Sequence, residues 1–154
     1  MIPAVTLRDV IDSDLPVFFE MQRDPESVRM AACPARDHEA FTAHWARLRG
    51  DATLIVKTIL SGDRVAGYIG TWPNDSRNLV GYWIDRPLWG QGIATAALRQ
   101  FLPMIPARPL TAFVATHNAA SLRVLQKAGF SIVNRPTGGG SPDDSCDEWE
   151  LIFT

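Results

Sequence analysis

At 154 residues, 46% hydrophobic and 21% charged, the chain has the length of one domain and enough apolar residues for a sizeable core, which excludes intrinsic disorder. Its net charge of −2 excludes the broad basic face of a general nucleic-acid binder, and no apolar run approaches the roughly 18 residues of a membrane span. Two cysteines, Cys33 and Cys146, supply neither a disulfide framework nor a metal spacing, and the start of the chain lacks the basic-then-apolar pattern of a secretory signal. The expectation is a cytoplasmic protein, monomer or homodimer, with no metal, nucleic acid or membrane as partner.

In chain order, residues 4–8 alternate as a first strand, and Asp12 or Asp14 can cap a helix reaching about Gln22, with Pro16 early and Leu15, Phe18 and Phe19 inward. Asp24-Pro25 marks a break or a helix restart. A second helix over 37–49 carries Phe41, Trp45 and Leu48 at helical spacing, with Gly50 as its stop. Three strands, 52–60, 64–72 and 78–84, form a meander with turns at Ser61-Gly62-Asp63 and Pro73-Asn74-Asp75-Ser76. A helix over 91–102 buries Ile93, Ala97, Leu98 and Phe101 and ends at Pro103 and Pro106. A strand over 110–116, a helix over 119–128 closed by Gly129, and strands over 130–133 and 149–153 complete a mixed α/β sheet with helices on both faces. Residues 136–142 connect the last two strands.

The strand over 79–84 runs into Trp89-Gly90-Gln91-Gly92-Ile93-Ala94-Thr95, a glycine turn that opens a helix. The first N–H groups of a helix have no internal partner, the dipole favours negative charge there, and glycines let a diphosphate approach the backbone. The turn reads as a pyrophosphate cradle. No Gly-Lys-Ser/Thr triplet follows, so it is not the loop of the nucleotide hydrolases. Its place after a meander, not after the first strand of a parallel unit, disfavours a dinucleotide fold.

Gly81-Tyr82-Trp83-Ile84-Asp85, the glycine turn, and the later Asn118-Ala119-Ala120-Ser121-Leu122-Arg123-Val124-Leu125-Gln126-Lys127-Ala128-Gly129-Phe130 stand in the order of a known family. Together they resemble the GNAT superfamily of N-acetyltransferases, most closely its ribosomal-protein N-terminal acetyltransferase branch. The resemblance covers essentially the whole chain. It implies one acyl-CoA N-acyltransferase domain over 1–154, built on a mostly antiparallel sheet of six or seven strands with a splay between strands 4 and 5.

The resemblance further implies acetyl-CoA as cosubstrate, its pyrophosphate held by N–H groups of Gly90, Gln91, Gly92, Ile93, Ala94 and Thr95, with the Thr95 hydroxyl adding a contact. Trp89 stands where the superfamily usually has Gln or Arg, which removes one polar phosphate contact. Backbone groups of Trp83, Ile84 and Asp85 would meet the pantetheine arm. Asn118 either caps the following helix or contacts that arm. Arg123 and Lys127, four apart on one helix face, either meet the 3′-phosphate or form a solvated basic face.

Many relatives place a tyrosine proton donor where this chain has Leu125, which cannot donate, and Ser121 is the branch's substitute near the sulfur. A serine is a poor acid, so Ser121 would act as a hydrogen-bond donor or relay. The fourth-strand glutamate of many relatives is missing. Asp85 is the nearest acid, with Glu20, His117, Glu148 and Glu150 as other candidates for the base. Trp72, Tyr82 and Trp149 form either an apolar wall for the amine or ordinary core. Acceptor choice is expected in segment 24–38, the turn near Trp72-Pro73 and the loop 135–147. Cys146 has no basic neighbour in sequence to activate it. Three functions follow: acetyl transfer from acetyl-CoA to a primary amine (peptide α-amino, lysine or small molecule), a coenzyme A-binding sensor or assembly module without catalysis, or an unrelated nucleotide binder.

Overall fold

The protein is described by a computed structural model over residues 4–31, 34–74, 76–134 and 148–154. Cys33, Cys146, the connection 136–142 and the expected acceptor loop 135–147 lie outside the described residues.

The chain begins with β1 (Val5–Asp9) and a single 3-10 turn, Asp12–Asp14. Three helices follow: α1 (Leu15–Arg23), α2 (Pro25–Ala31) and α3 (His38–Gly50). Next come β2 (Ile55–Ser61), β3 (Arg64–Asn74), β4 (Arg77–Ile84), α4 (Ile93–Phe101), β5 (Leu110–Ala115), α5 (Ala119–Lys127), β6 (Ser131–Asn134) and β7 (Glu148–Phe153). The expected elements are present, and α2 is additional. Asp24-Pro25 is a restart: the Asp24 carboxylate accepts the Ser27 N–H at 2.9 Å, and proline fills the first helical position, where no N–H is needed. α3 runs through Gly50 and turns extended only at Asp51.

The seven strands form one sheet in the order β1-β2-β3-β4-β5-β7-β6. All neighbours are antiparallel except β4 and β5, which run parallel and pair only at Asn78↔Leu110 and Leu79↔Thr111. Beyond Leu79 the two strands part. This is the splay expected between strands 4 and 5. Among the described residues no helix is long and apolar enough to cross a membrane.

Two cores sandwich the sheet. α4 and α5 pack on one face through Ile93, Leu98, Phe101 and Leu125 against Ile59, Ile69, Leu110 and Leu151. α1 and α3 pack on the other through Phe18, Met21, Phe41 and Trp45, with Tyr68 and Trp83 from the sheet. The Trp45 and Tyr68 rings meet edge-on at 4.9 Å.

Two constraints hold this frame. The first is Asp14, 1% exposed, which joins three elements. It accepts both guanidinium nitrogens of Arg8 (2.7 and 2.9 Å), the Ile11 N–H (2.9 Å) and the Thr58 hydroxyl (2.7 Å). Burial alone would push its carboxyl up. The Arg8, Ile11 and Thr58 hydrogen bonds outweigh burial and hold it below its ordinary value. The second is Gly67, where β4 lies so close to β3 that an added Cβ would sit 1.8 Å from the Trp83 carbonyl oxygen.

Asp14→Ala is expected to cost about 3 kcal/mol in urea unfolding, since it strands the buried hydrogen-bonding partners. A carboxyl depressed in the folded state stabilises fully above its unfolded pKa, near 3.8, and this contribution fades as pH falls through the lower folded value. Asp14→Asn should therefore flatten the acid limb of the wild-type stability curve below about pH 4. Gly67→Ala should cost about 3 kcal/mol, the upper end of overpacking penalties, because only backbone stands in the way.

Candidate active site

The glycine turn supplies one end of the site. Gly90 and Gly92 both adopt φ of +78°, flanking Gln91, and a Cβ built on either glycine meets no atom within 4 Å. The positive angles favour glycine, and the open space above them is the space a ligand would fill. Among the described residues, none of the six N–H groups from Gly90 to Thr95 donates to a backbone carbonyl; the first bond into α4 is Ala96 N–H to Gly92 C=O at 3.1 Å. Free donors and the positive end of α4 therefore share one point. Trp89 anchors the turn. Its indole N–H donates to the Ile84 carbonyl at 2.8 Å, a structural task in place of a phosphate contact.

Strand parity decides what faces the gap beside β4. In an antiparallel pair, successive residues turn their backbone groups alternately toward and away from the partner strand. Asp85 donates its N–H to Ala66 C=O at 2.8 Å, so Asp85 and Trp83 spend their backbone groups on β3. Tyr82 and Ile84 turn theirs toward the gap. Of the expected strand donors, Ile84 faces the gap, and Tyr82 takes the place expected of Trp83.

A cavity of about 340 Å³ fills the space between these features. Gly90, Gly92, Ile93, Ala94 and Thr95 line one part, and Tyr82, Trp83, Ile84, Asn118 and Ser121 line another. Gln91 alone of the expected cradle residues is not on its wall; its backbone lies between the two glycines. Arg123 and Lys127 border the cavity and form no ion pair among the described residues. Asn118 caps α5, accepting the Ser121 N–H at 3.2 Å, and donates to the Met30 carbonyl at 3.3 Å. Its Oδ1 and one amide N–H are engaged in this way, and the residue also lines the cavity.

Inside the cavity, the Tyr82 and Ser121 hydroxyl oxygens lie 2.6 Å apart. Burial pushes the Tyr82 phenol up to about 12, with the Ser121 hydrogen bond opposing that rise. Leu125, in the position of the missing tyrosine, is buried in the core.

Several expected residues are not brought together. The Asp85 carboxylate pairs with Arg64 at 3.2 Å and is not on the cavity wall. Trp72 pairs with Leu79 on the α1–α3 face of the sheet and lies across Gly81, 39% exposed. Trp149 packs against the opposite core from its place beside Val114. The wall of Trp72, Tyr82 and Trp149 is therefore not assembled: strand parity sends Trp72 and Tyr82 to opposite faces, and Trp149 stands beyond β5. The alternative bases are also engaged elsewhere. Glu20 pairs with Arg23 at 3.1 Å, His117 bonds the Arg29 carbonyl at 2.6 Å, and Glu150 pairs with Arg77 at 3.2 Å. Glu148 stands opposite Ala115 at the start of β7. No carboxylate lines the cavity among the described residues, and no group of three metal-binding side chains occurs among them.

The segment 24–38, expected to border the site, does so through α2, an element the sequence left open as a break or a restart. Ser27, Met30 and Ala31 line the cavity, and His117 and Asn118 tie the end of α2 to the start of α5. The signal was present in Asp24-Pro25, a capping aspartate followed by a first-turn proline.

Comparison with curated proteins finds no match. Solved structures share the fold closely. An acetyltransferase (GNAT family) from Bacillus anthracis superposes with a TM-score of 0.81 at 14% identity, over 99% of this chain and 98% of that one. The spermidine N-acetyltransferase from Vibrio cholerae, solved with CoA and spermine, gives 0.82 at 12% identity, over 97% and 94%. The aminoglycoside acetyltransferase AAC(6')-Ib, solved with coenzyme A, gives 0.79 at 15% identity, over 98% and 95%. With the sequence itself matching the acetyltransferase (GNAT) domain over residues 4–131, the chain belongs to the GNAT acetyltransferase family.

Proposed function

We propose that this protein transfers an acetyl group from acetyl-CoA to a primary amine by direct attack in a ternary complex. The observation that carries the reading is the cavity itself. An anion cradle of free N–H groups opens into a gap between two strands, and a hydroxyl pair stands within it. A diphosphate fits the cradle, because the glycines leave its space empty. An extended amide-bearing arm fits the gap, because the Tyr82 backbone groups and the Ile84 N–H face it with no strand opposite. Arg123 and Lys127 suit a further phosphate at the border.

Acetyl-CoA would supply a thioester, activated for attack by a neutral amine. The chain's part is to orient and to stabilise charge. In this reading the N–H of Tyr82 or Ile84 would donate to the oxyanion that forms on the acetyl carbonyl as the amine nitrogen bonds to its carbon. Ser121 in this reading would donate to the sulfur as the C–S bond breaks and its electron pair passes to sulfur. The amine loses its proton to water, and the sulfur regains one from water. The CoA and amine ligands of the spermidine and aminoglycoside enzymes support this class of chemistry, and the motif likeness to the ribosomal-protein branch supports a peptide α-amino group as one acceptor to try. The alternative, a coenzyme A-binding module without turnover, draws support from the engagement of Asp85 with Arg64.

Thiol release from acetyl-CoA, measured with α-amino peptides, lysine and small polyamines, separates the two. Turnover with any class supports transfer; tight binding with no turnover across the panel supports the module. Gly92→Glu should abolish coenzyme A uptake in calorimetry, since its side chain fills the cradle with a like charge and glutamate disfavours φ of +78°. Ser121→Ala should lower kcat about 10- to 100-fold, the worth of one hydrogen bond to a charged group, with coenzyme A affinity little changed. Unchanged kcat would remove Ser121 from the mechanism.

A further inference from the structure

Tyr82 on β4 and Ser121 on the first turn of α5 are 39 residues apart in sequence, with their oxygens 2.6 Å apart. At that separation one hydroxyl donates to the other. A phenol is a much stronger acid than an aliphatic alcohol, so the Tyr82 O–H donates and the Ser121 oxygen accepts. Burial pushes the phenol up to about 12, so Tyr82 keeps its proton to donate at any working pH. The Ser121 N–H is already bound to Asn118, and among the described residues the Ser121 hydroxyl bonds only Tyr82. The serine proton is therefore left to the cavity. A hydroxyl that accepts one hydrogen bond donates a stronger second one.

We propose that Tyr82 is a positioning residue for thiol-ester chemistry: it holds the Ser121 hydroxyl with its proton aimed at the sulfur of bound coenzyme A. The inference rests on the acetyl-transfer reading and adds a residue to it. Tyr82 thereby leaves the amine-binding wall expected of it and joins the leaving-group side. Neither hydroxyl gives up its proton. A thiol titrates at about 8.5, so a phenol pushed up to about 12 lies well above it, and full transfer to the sulfur is disfavoured by roughly three orders of magnitude or more. The pair works as a polarised hydrogen-bond chain, and the sulfur takes its proton from water.

The test titrates the thiol of coenzyme A bound to the full-length protein, by ultraviolet thiolate absorbance, with affinity measured in parallel by calorimetry. In the wild type the bound thiol is expected to titrate below free coenzyme A. Tyr82→Phe should raise that pKa by about half to one unit, a three- to tenfold loss of thiolate at fixed pH. Ser121→Ala should raise it as much, and the double variant no further. Replacing Tyr82 with 3-fluorotyrosine, a stronger acid of nearly the same size, should shift it the other way. A Tyr82→Phe titration that overlies the wild type, or single effects that simply add, overturns the role of Tyr82. Failure of the wild type to take up coenzyme A sinks the acetyl-transfer reading itself, a result distinct from uptake with an unmoved thiol.

Discussion

Parallel pairing between β4 and β5 stops after two residue pairs, and the site depends on that stop. Every peptide group must find a partner, and those along a parted edge have lost the usual one. Here Trp89 satisfies the Ile84 carbonyl, leaving the neighbouring groups of the strand for something that enters the gap. β4 is held back from the gap by its ladder to β3, paired from Gly67↔Ile84 to Asn74↔Arg77, and the missing side chain at Gly67 lets the two strands lie close. The gap is walled by α2 and α5, which are tied to each other through Asn118 and His117.

The charge of the site runs against that of the chain. A net charge of −2 gives no general attraction for polyanions, yet the N–H groups at the start of α4, together with Arg123 and Lys127, which form no ion pair among the described residues, concentrate positive potential at one cavity. Acids near this region are neutralised locally: Asp24 by Arg86, Glu26 by Arg29 and Asp85 by Arg64. Several N–H donors converging at one helix start suit a multiply charged anion better than a single carboxylate.

What the sequence made legible follows physical range. The glycine turn, the cap at Asn118 and the buried stripe of α4 are local devices, written within a few residues, and the structure has each where it was expected. The splay came from the family resemblance. The role of α2 was local too, but Asp24-Pro25 admits both a break and a restart, and only packing against β5 and α5 decides between them. The Tyr82–Ser121 contact depends on how two distant elements meet across the sheet, which no spacing encodes. Trp72, Tyr82 and Trp149 look alike in a list of aromatics, yet strand parity and sheet order scatter them.

Parity also explains why β4 can serve two cores at once. Val80, Tyr82 and Ile84 turn toward the α4–α5 side, while Trp83 turns toward the cluster of Phe18 and Trp45. A slip of one residue would exchange these faces, sending the Tyr82 hydroxyl into an apolar core and the Trp83 ring into the cavity. The register is guarded by glycines on the Trp83 side. Gly81 accepts the Trp72 ring where a Cβ would sit 2.8 Å from it, and Gly70 faces Gly81 across the strand pair. The small residues of β3 and β4 thus act at a distance from the chemistry. They set which face each aromatic takes, and so which hydroxyl reaches Ser121.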